Sequence, residues 1–258
     1  MKKYEQALNK YGSASEELNT LVIELVLNVV VDKVGNLASE THFTKGIDQL
    51  RKSVLYRLSS LGWHLQNLCR QHDQFEQAFR AHQPDSIIMS AKNIQFFIFD
   101  DFIFNLISLY DYYANLIAYF LIGENKKKIG WQSLAKAARD KKNRFSTLSV
   151  AGDIATHENY WVKRIRDFRA ELIHYNLNMG NDQQRISGRR GEDVKFELLY
   201  SVPEKLAKKL DLQAPVHKGV GIDLQLGAIE IGERSINWLA SLTDRIRSKF
   251  TKNSVQRV

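Results

Sequence analysis

Hydrophobic residues recur at helical spacing through most of the chain. The clearest run lies between about residues 45 and 82, where apolar positions repeat every seven residues with others interleaved. This pattern is typical of a long amphipathic helix that packs in an antiparallel bundle. Similar spacing, with helix-start and helix-stop residues, predicts further helices. They span about residues 15–34, 85–122, 131–142, 151–178, 201–210 and 223–250. A capping box at Ser201 and Glu204 opens the fifth of these, and Asp223 caps the last.

The helix predicted over 85–122 is the most apolar in the chain, yet its polar residues form one stripe. At about 100° per residue they fall within an arc of roughly 140°. They are Asp100, Asp101, Asn105, Ser108, Asp111, Tyr112, Asn115 and Tyr119. Buried carboxylates need cationic or hydrogen-bonding partners, so the stripe is expected to face polar groups or a water-filled cleft. A surface-facing stripe without a role fits the pattern equally well.

The pattern changes from helical spacing to strict alternation before the last helix. Val194, Phe196, Leu198, Tyr200 and Val202 alternate with polar positions, which predicts a strand. A second strand near residues 185–187 would pair with it in a β-hairpin occupying about 183–202. The predicted fold class is therefore all-α. It is one domain over 1–258, an antiparallel bundle of long helices with a small β-hairpin insertion before the C-terminal helix, 223–250.

Composition narrows the class of protein and the kinds of site. Cys69 is the single cysteine, so no internal disulfide forms and a reducing cytoplasm suits the chain. Cysteine and histidine residues do not cluster at zinc-binding spacing, and no metal or other cofactor is expected. The first residues lack the apolar core of a signal peptide. Carboxylates within the 94–122 stretch would be costly in a bilayer, so no membrane association is expected.

The net charge of +8 is unevenly distributed. Residues 1–120 hold 11 basic and 13 acidic side chains, whereas residues 121–258 hold 26 and 16. The basic excess therefore lies wholly in the second half, which favours a polyanionic partner such as RNA. Solvated lysines on ordinary helix faces would produce part of the same imbalance.

The strongest candidate chemistry lies near the end of the helix predicted over 151–178. Arg169 precedes His174 by five residues. Arginine offers a permanently charged fork that fits phosphate, and histidine exchanges a proton near neutral pH. Together they suffice for cleaving RNA without a metal. Asp101, Asn105 and Ser108 of the polar stripe are the residues predicted to lie nearest Arg169. Asp101 and Asn105 complete the candidate catalytic set.

Basic, amide and aromatic side chains near this pair and in the preceding loop are candidate RNA contacts. Phosphate contacts of this type raise affinity without reading sequence. The candidates are Arg166, Lys163, Asn178, Tyr175, Lys141, Lys142 and Arg144. Where they sit in loops, the same cations are equally typical of a solvated surface.

The bundle pattern, the acidic-polar apolar helix and the Arg169-x4-His174 spacing resemble the HEPN superfamily of nucleotide- and RNA-binding helical domains. The resemblance covers about residues 85–178. It implies a homodimer in which two such motifs face one cleft. In each, Arg169 would hold the scissile phosphate and His174 would act as acid or base. The implied activity is a metal-independent endoribonuclease that leaves a 2′,3′-cyclic phosphate.

Two positions depart from the family pattern. Ala170 follows the arginine where many HEPN ribonucleases have a polar residue, and Asn176 stands where some HEPN toxins have a modified tyrosine. An inactive RNA- or nucleotide-binding module is therefore one alternative, and a structural helical protein that holds a partner protein is another. The resemblance also implies a role in toxin or antiviral defence, with an antitoxin or defence protein as partner.

Overall fold

The computed structural model describes residues 2–34, 41–81, 83–122, 129–175, 185–186, 198–217 and 221–255. Most of these residues are helical, so the predicted all-α class is confirmed. None of the helices within these ranges combines the length and apolarity needed to cross a lipid bilayer.

Eight α-helices and four short strands follow one another along the described chain. The helices are α1 (Glu5–Val34), α2 (Thr41–Arg80), α3 (Asp85–Ile122), α4 (Trp131–Arg139), α5 (Ala151–His157), α6 (Lys163–Tyr175), α7 (Glu204–Leu210) and α8 (Leu224–Val255). The strands are β1 (Arg185–Ile186), β2 (Leu198–Leu199), β3 (Val216–His217) and β4 (Gly221–Ile222). A 3-10 turn, Lys2–Tyr4, precedes α1, and a π turn, Glu158–Val162, joins α5 to α6.

The first helix begins ten residues before its predicted start near residue 15. Ser13 and Glu16, which have the form of a capping box, lie inside α1 instead of at its end. The reason is tertiary burial: Tyr4 and Tyr11 are 0% and 4% exposed. Packing of these rings keeps the preceding turns helical and overrides the local start signal.

Helix α4 ends at Arg139, short of the predicted residue 142. The Asp140 carboxylate accepts a hydrogen bond from the Lys142 N–H at 3.0 Å. The Asn143 side chain accepts one from Phe145 N–H and caps a 3-10 turn. Such local side-chain bonds compete with helix continuation, so they stop α4 before the basic loop.

The chain divides into two compact units, each made of three segments. The first unit contains Met1–Tyr11, Leu61–Phe104 and Arg164–Glu233, and the second contains Gly12–Ser60, Asn105–Lys163 and Arg234–Val258. The prediction of a single domain over 1–258 stays a prediction.

Aromatic rings fill the core of the first unit. The Tyr200 ring packs against Phe75 and Phe96, with ring centroids 5.4 and 5.5 Å apart. Phe99 meets Phe168 of α6 edge to face at 6.3 Å. Because Phe168 is the residue before Arg169, this packing anchors the segment of α6 that carries the candidate arginine.

A second aromatic core lies in the other unit. Trp131, the first residue of α4, contacts Tyr110 of α3 and Trp238 of α8, with ring centroids 5.0 and 5.6 Å apart. The Tyr113 hydroxyl, fully buried, is hydrogen-bonded to Thr243 of α8. The Thr243 contact satisfies the buried Tyr113 hydroxyl, and the ring contacts fix α4 against α3 and α8.

The strand pairs are antiparallel and two residues long. Strand β1 pairs with β2 in the region predicted as a hairpin; most of that region, Val194 and Phe196 included, lies outside the described residues. Strand β3 pairs with β4 directly before α8. There the Asp223 carboxylate accepts a hydrogen bond from Leu226 N–H at 3.0 Å. The predicted cap of the last helix is thereby confirmed.

Replacing Gly227 by Ala should destabilise the first unit. A Cβ at this position of α8 would clash with the Val202 side chain and would lie 3.1 Å from Ile222 Cγ2. We expect a loss of about 1–3 kcal/mol, typical of an overpacked core, measured by urea unfolding.

Gly12→Ala is the matched control, because a Cβ there meets nothing within 4 Å in the middle of α1. It should stabilise the protein by about 0.5–1 kcal/mol through helix propensity alone. Equal effects of the two substitutions would contradict the packing described for Gly227.

Candidate functional site

Helix α6 carries the predicted arginine and histidine on one continuous helical backbone. Its buried side, Ile165 and Phe168, sets the phase of the helix. Five residues correspond to a turn of about 140°, so positions 169 and 174 lie on different faces of α6. The side chains of His174 and Tyr175, and all of Asn178, lie outside the described residues.

Arg169 is half-buried and held by an aromatic ring. Its guanidinium carbon lies 4.7 Å from the centroid of the Phe104 ring, a cation–π arrangement. The Nε–H is buried without a hydrogen-bond partner in the described part of the chain. A buried unpaired donor is energetically costly, and an anion bound beside it would relieve that cost. The arginine is therefore oriented by stacking, with donor capacity remaining.

The stripe residues predicted nearest Arg169 belong to different units: Asp101 lies in the first unit, and Asn105 and Ser108 lie in the second. Asp101 is exposed on α3 in the unit that contains Arg169 and precedes Phe104 by three residues, so the two share a helix face. Asn105 lies in the second unit, where its side-chain oxygen accepts from Arg57 Nη1 at 2.6 Å and from Ser60 at 3.4 Å. Asn105 thus serves to tie α3 to α2.

Farther along the stripe, two side chains organise the start of α4. The Asp111 carboxylate accepts from Trp131 N–H, and the Asn115 amide oxygen accepts from Ile129 N–H, each at 2.9 Å. These bonds satisfy backbone donors at and before the first turn of a helix whose N-cap, Gly130, has no side chain to do so. This part of the stripe faces polar groups, as one of the two sequence interpretations predicted.

The predicted RNA contacts in the second unit are mostly exposed. Lys141, Lys142 and Lys163 are exposed, while the Arg144 side chain lies outside the described residues. Arg166, in the first unit, is half-buried. Sequence reasoning missed Lys136, which with Arg139 lies on the exposed side of α4. The helical spacing of the buried residues could have placed Lys136 on the exposed side. These residues are Trp131, Leu134, Ala135 and Ala138.

A partly buried polar network around His157 was also missed. The imidazole stacks on Trp238 with ring centroids 3.7 Å apart and planes 2° apart. Its Nε2 lies 2.8 Å from the Tyr110 hydroxyl. Beside it, Trp161 Nε1–H donates to Ser235 at 2.8 Å. These residues meet at the π turn, a local distortion that periodicity does not reveal.

Burial lowers the pKa of His157 to about 3. The ring is therefore neutral at physiological pH and acts as a fixed hydrogen-bonding group in the network. Within the described ranges, no group of His, Cys, Asp and Glu side chains could hold a metal ion.

No family model, no curated protein and no solved structure matches the chain. A functional assignment therefore depends on the geometry of its own residues.

The His157 ring should not titrate between pH 8 and pH 5. Its folded-state pKa of about 3 lies below the unfolded value of about 6.5, so its contribution to stability is complete above pH 6.5 and is lost as the pH falls. Ring NMR shifts measured against pH test this. A titration midpoint near 6.5 would contradict the buried, stacked imidazole.

Proposed function

We propose that the chain is a metal-independent endoribonuclease of the HEPN type, built on a bundle of long helices. One observation carries the proposal. The Arg169 guanidinium stacks on Phe104 with its buried Nε–H unpaired, five residues before His174 on the same helix. A guanidinium oriented by an aromatic ring and retaining donor capacity suits the phosphate of an RNA strand.

The proposed reaction takes its nucleophile from the substrate. His174 of one copy removes the proton of an RNA 2′-hydroxyl, and the 2′-oxygen attacks the adjacent phosphorus. The bond from phosphorus to the 5′-oxygen breaks, and a second acid protonates that oxygen. The products are a 2′,3′-cyclic phosphate and a 5′-hydroxyl end. Arg169 offsets the charge that develops on the phosphoryl oxygens.

A homodimer supplies the second acid. One imidazole does not reach both ends of an in-line displacement, and a two-fold axis brings a second copy of each group. An exposed apolar stripe on α3 supports this arrangement: Ile87, Ile94 and Phe97 are 47%, 37% and 58% exposed. Their spacing of seven and three residues places them on the face of α3 that continues to Asp101 and Phe104, a pattern suited to a second helix.

The basic side chains of the second unit support RNA as the substrate. Lys136, Arg139, Lys141, Lys142 and Lys163 are all exposed there. Such cations bind a phosphate backbone with strong dependence on salt concentration. The HEPN resemblance further supports a cytoplasmic role in toxin or antiviral defence, with an antitoxin or defence protein as partner.

One feature favours an RNA-binding module without activity. Ala170 is exposed directly after Arg169, and its methyl group offers no polar contact to a bound phosphate or water. Binding without cleavage is the outcome that this alternative predicts.

Substituting Arg169 or His174 by Ala should abolish cleavage of single-stranded RNA in EDTA. Each removes a group acting in the transition state, so we expect rates to fall by about 10²–10⁴-fold with helix content unchanged. Arg70→Ala, an exposed arginine of α2, is the control and should cleave normally.

Retained cleavage in both variants would rule out the mechanism. RNA binding by the wild type without any cleavage would favour the inactive module. The absence of salt-dependent RNA binding would favour a structural protein that holds a protein partner.

Phe97→Glu should halve the solution mass measured by light scattering and should reduce cleavage with it. A charge in the middle of the apolar stripe is costly to bury between two copies, whereas in a monomer an exposed position tolerates it. Leu27→Glu is the matched control, since Leu27 is 56% exposed on α1. A wild-type monomer, or a dimer that survives Phe97→Glu, would refute the shared site.

A further inference from the structure

Several polar side chains are buried together in the first unit, remote in sequence from the candidate arginine. Tyr4, His72, Gln95, Asp223 and Gln225, here called the His72 cluster, are each at most 2% exposed. They come from the 3-10 turn, α2, α3 and the start of α8. Burying a charged group is costly unless it is paired, so a cluster of this kind is stable only when its unpaired members are neutral.

Polar contacts of the cluster fasten the N-terminal segment, residues 2–11. The Lys3 ammonium lies 3.1 Å from the Asp223 carboxylate, which also caps α8. Gln225 Nε2–H donates to Gln95 Oε1 at 2.8 Å and joins α8 to α3. The N-terminal segment is thus held by the residues that begin the last helix.

Tyrosine packing completes this attachment. The Tyr4 ring meets the His72 ring edge to face, with centroids 5.7 Å apart. Tyr11 packs so closely on α8 that a Cβ at Gly232 would lie 2.9 Å from its ring. Residues 2–11 therefore leave their place only if both rings leave the core.

The His72 imidazole has no hydrogen-bond partner for either ring nitrogen within the described residues. Its Nε2 lies 3.6 Å from the Glu76 carboxylate, beyond normal hydrogen-bond length. Burial lowers the pKa of His72; the Glu76 and Asp223 carboxylates and the Gln95 side chain oppose this effect, and the Lys3 ammonium adds to it. The neutral ring is therefore the form that the closed cluster holds.

Two other titratable groups buried near the ring stay neutral in the same pH range. Burial raises the pKa of the Cys69 thiol to about 12 and raises that of the Tyr4 hydroxyl, so both stay neutral. The carboxylates near the ring are Asp73, Glu76 and Asp223.

We propose that His72 is the pH-sensitive element of a latch that closes the N-terminal segment onto α2 and α8 and opens on acidification. A protonated ring gains hydration only when Tyr4 and Lys3 move away, because the closed cluster buries the ring to 2% exposure against Tyr4 and leaves the Glu76 carboxylate 3.6 Å from Nε2. The opening equilibrium rises as the pH falls below about 6.5, by at most about tenfold per pH unit. This proposal is independent of the nuclease activity.

Amide hydrogen exchange of residues 2–11 in the full-length protein, measured by mass spectrometry at pH 7.5 and 5.5, tests the latch. After correction for the intrinsic pH dependence of exchange, we expect wild-type exchange to increase several-fold at pH 5.5, within the limit of about tenfold per pH unit. His72→Gln removes the titrating ring, so its exchange should be the same at both pH values. His64→Gln, a second buried histidine of α2, should behave as wild type.

Equal corrected exchange of the wild type at both pH values would overturn the proposal. So would an undiminished increase in His72→Gln, or its loss in His64→Gln. If His72→Gln does not fold, NMR titration of the wild-type His72 ring replaces it. A midpoint clearly below the ordinary value of about 6.5 supports the latch, and a midpoint at or above that value refutes it.

Discussion

Helix α3 imposes the constraint on which much of the second unit depends: from Asn105 onward it is largely buried, so its buried polar side chains need partners. In the second unit these partners are backbone and side-chain groups of other elements. Asp111 and Asn115 accept the N–H groups of Trp131 and Ile129, and Tyr113 bonds to Thr243. Desolvated polar groups without such partners would cost more than the surrounding apolar contacts return. The position of α4, and of its exposed cations, follows from this requirement.

The periodicity of the sequence predicted the elements that have one buried face and one exposed face. The seven-residue repeat of α2, the apolar length of α3 and the Asp223 cap of α8 all correspond to elements of the structure. In each case the same residues determine both the local conformation and the buried face. Agreement between these two levels makes an element readable from sequence.

Features that arise from contacts distant in sequence were not predictable in this way. Helix α1 begins at Glu5 because Tyr4 and Tyr11 are buried against residues far along the chain. His157, which stacks on Trp238, directly precedes the π turn Glu158–Val162. A π turn contains one residue more than an α-helical turn, and no residue pattern in the sequence indicates where it occurs. The site shows the same division. Sequence named Arg169, but its support by the Phe104 ring required the packing of α3 with α6.

The buried thiol of Cys69, the single cysteine, makes opening of the first unit measurable from solution. Cys69 is inaccessible, and burial raises its pKa to about 12, so a thiol reagent in the medium meets almost no reactive sulfur while the first unit is closed. A transient opening of this core would allow the reagent to label Cys69. The chain has no other cysteine that could react. The rate at which a thiol reagent labels the protein therefore reports how often the first unit opens.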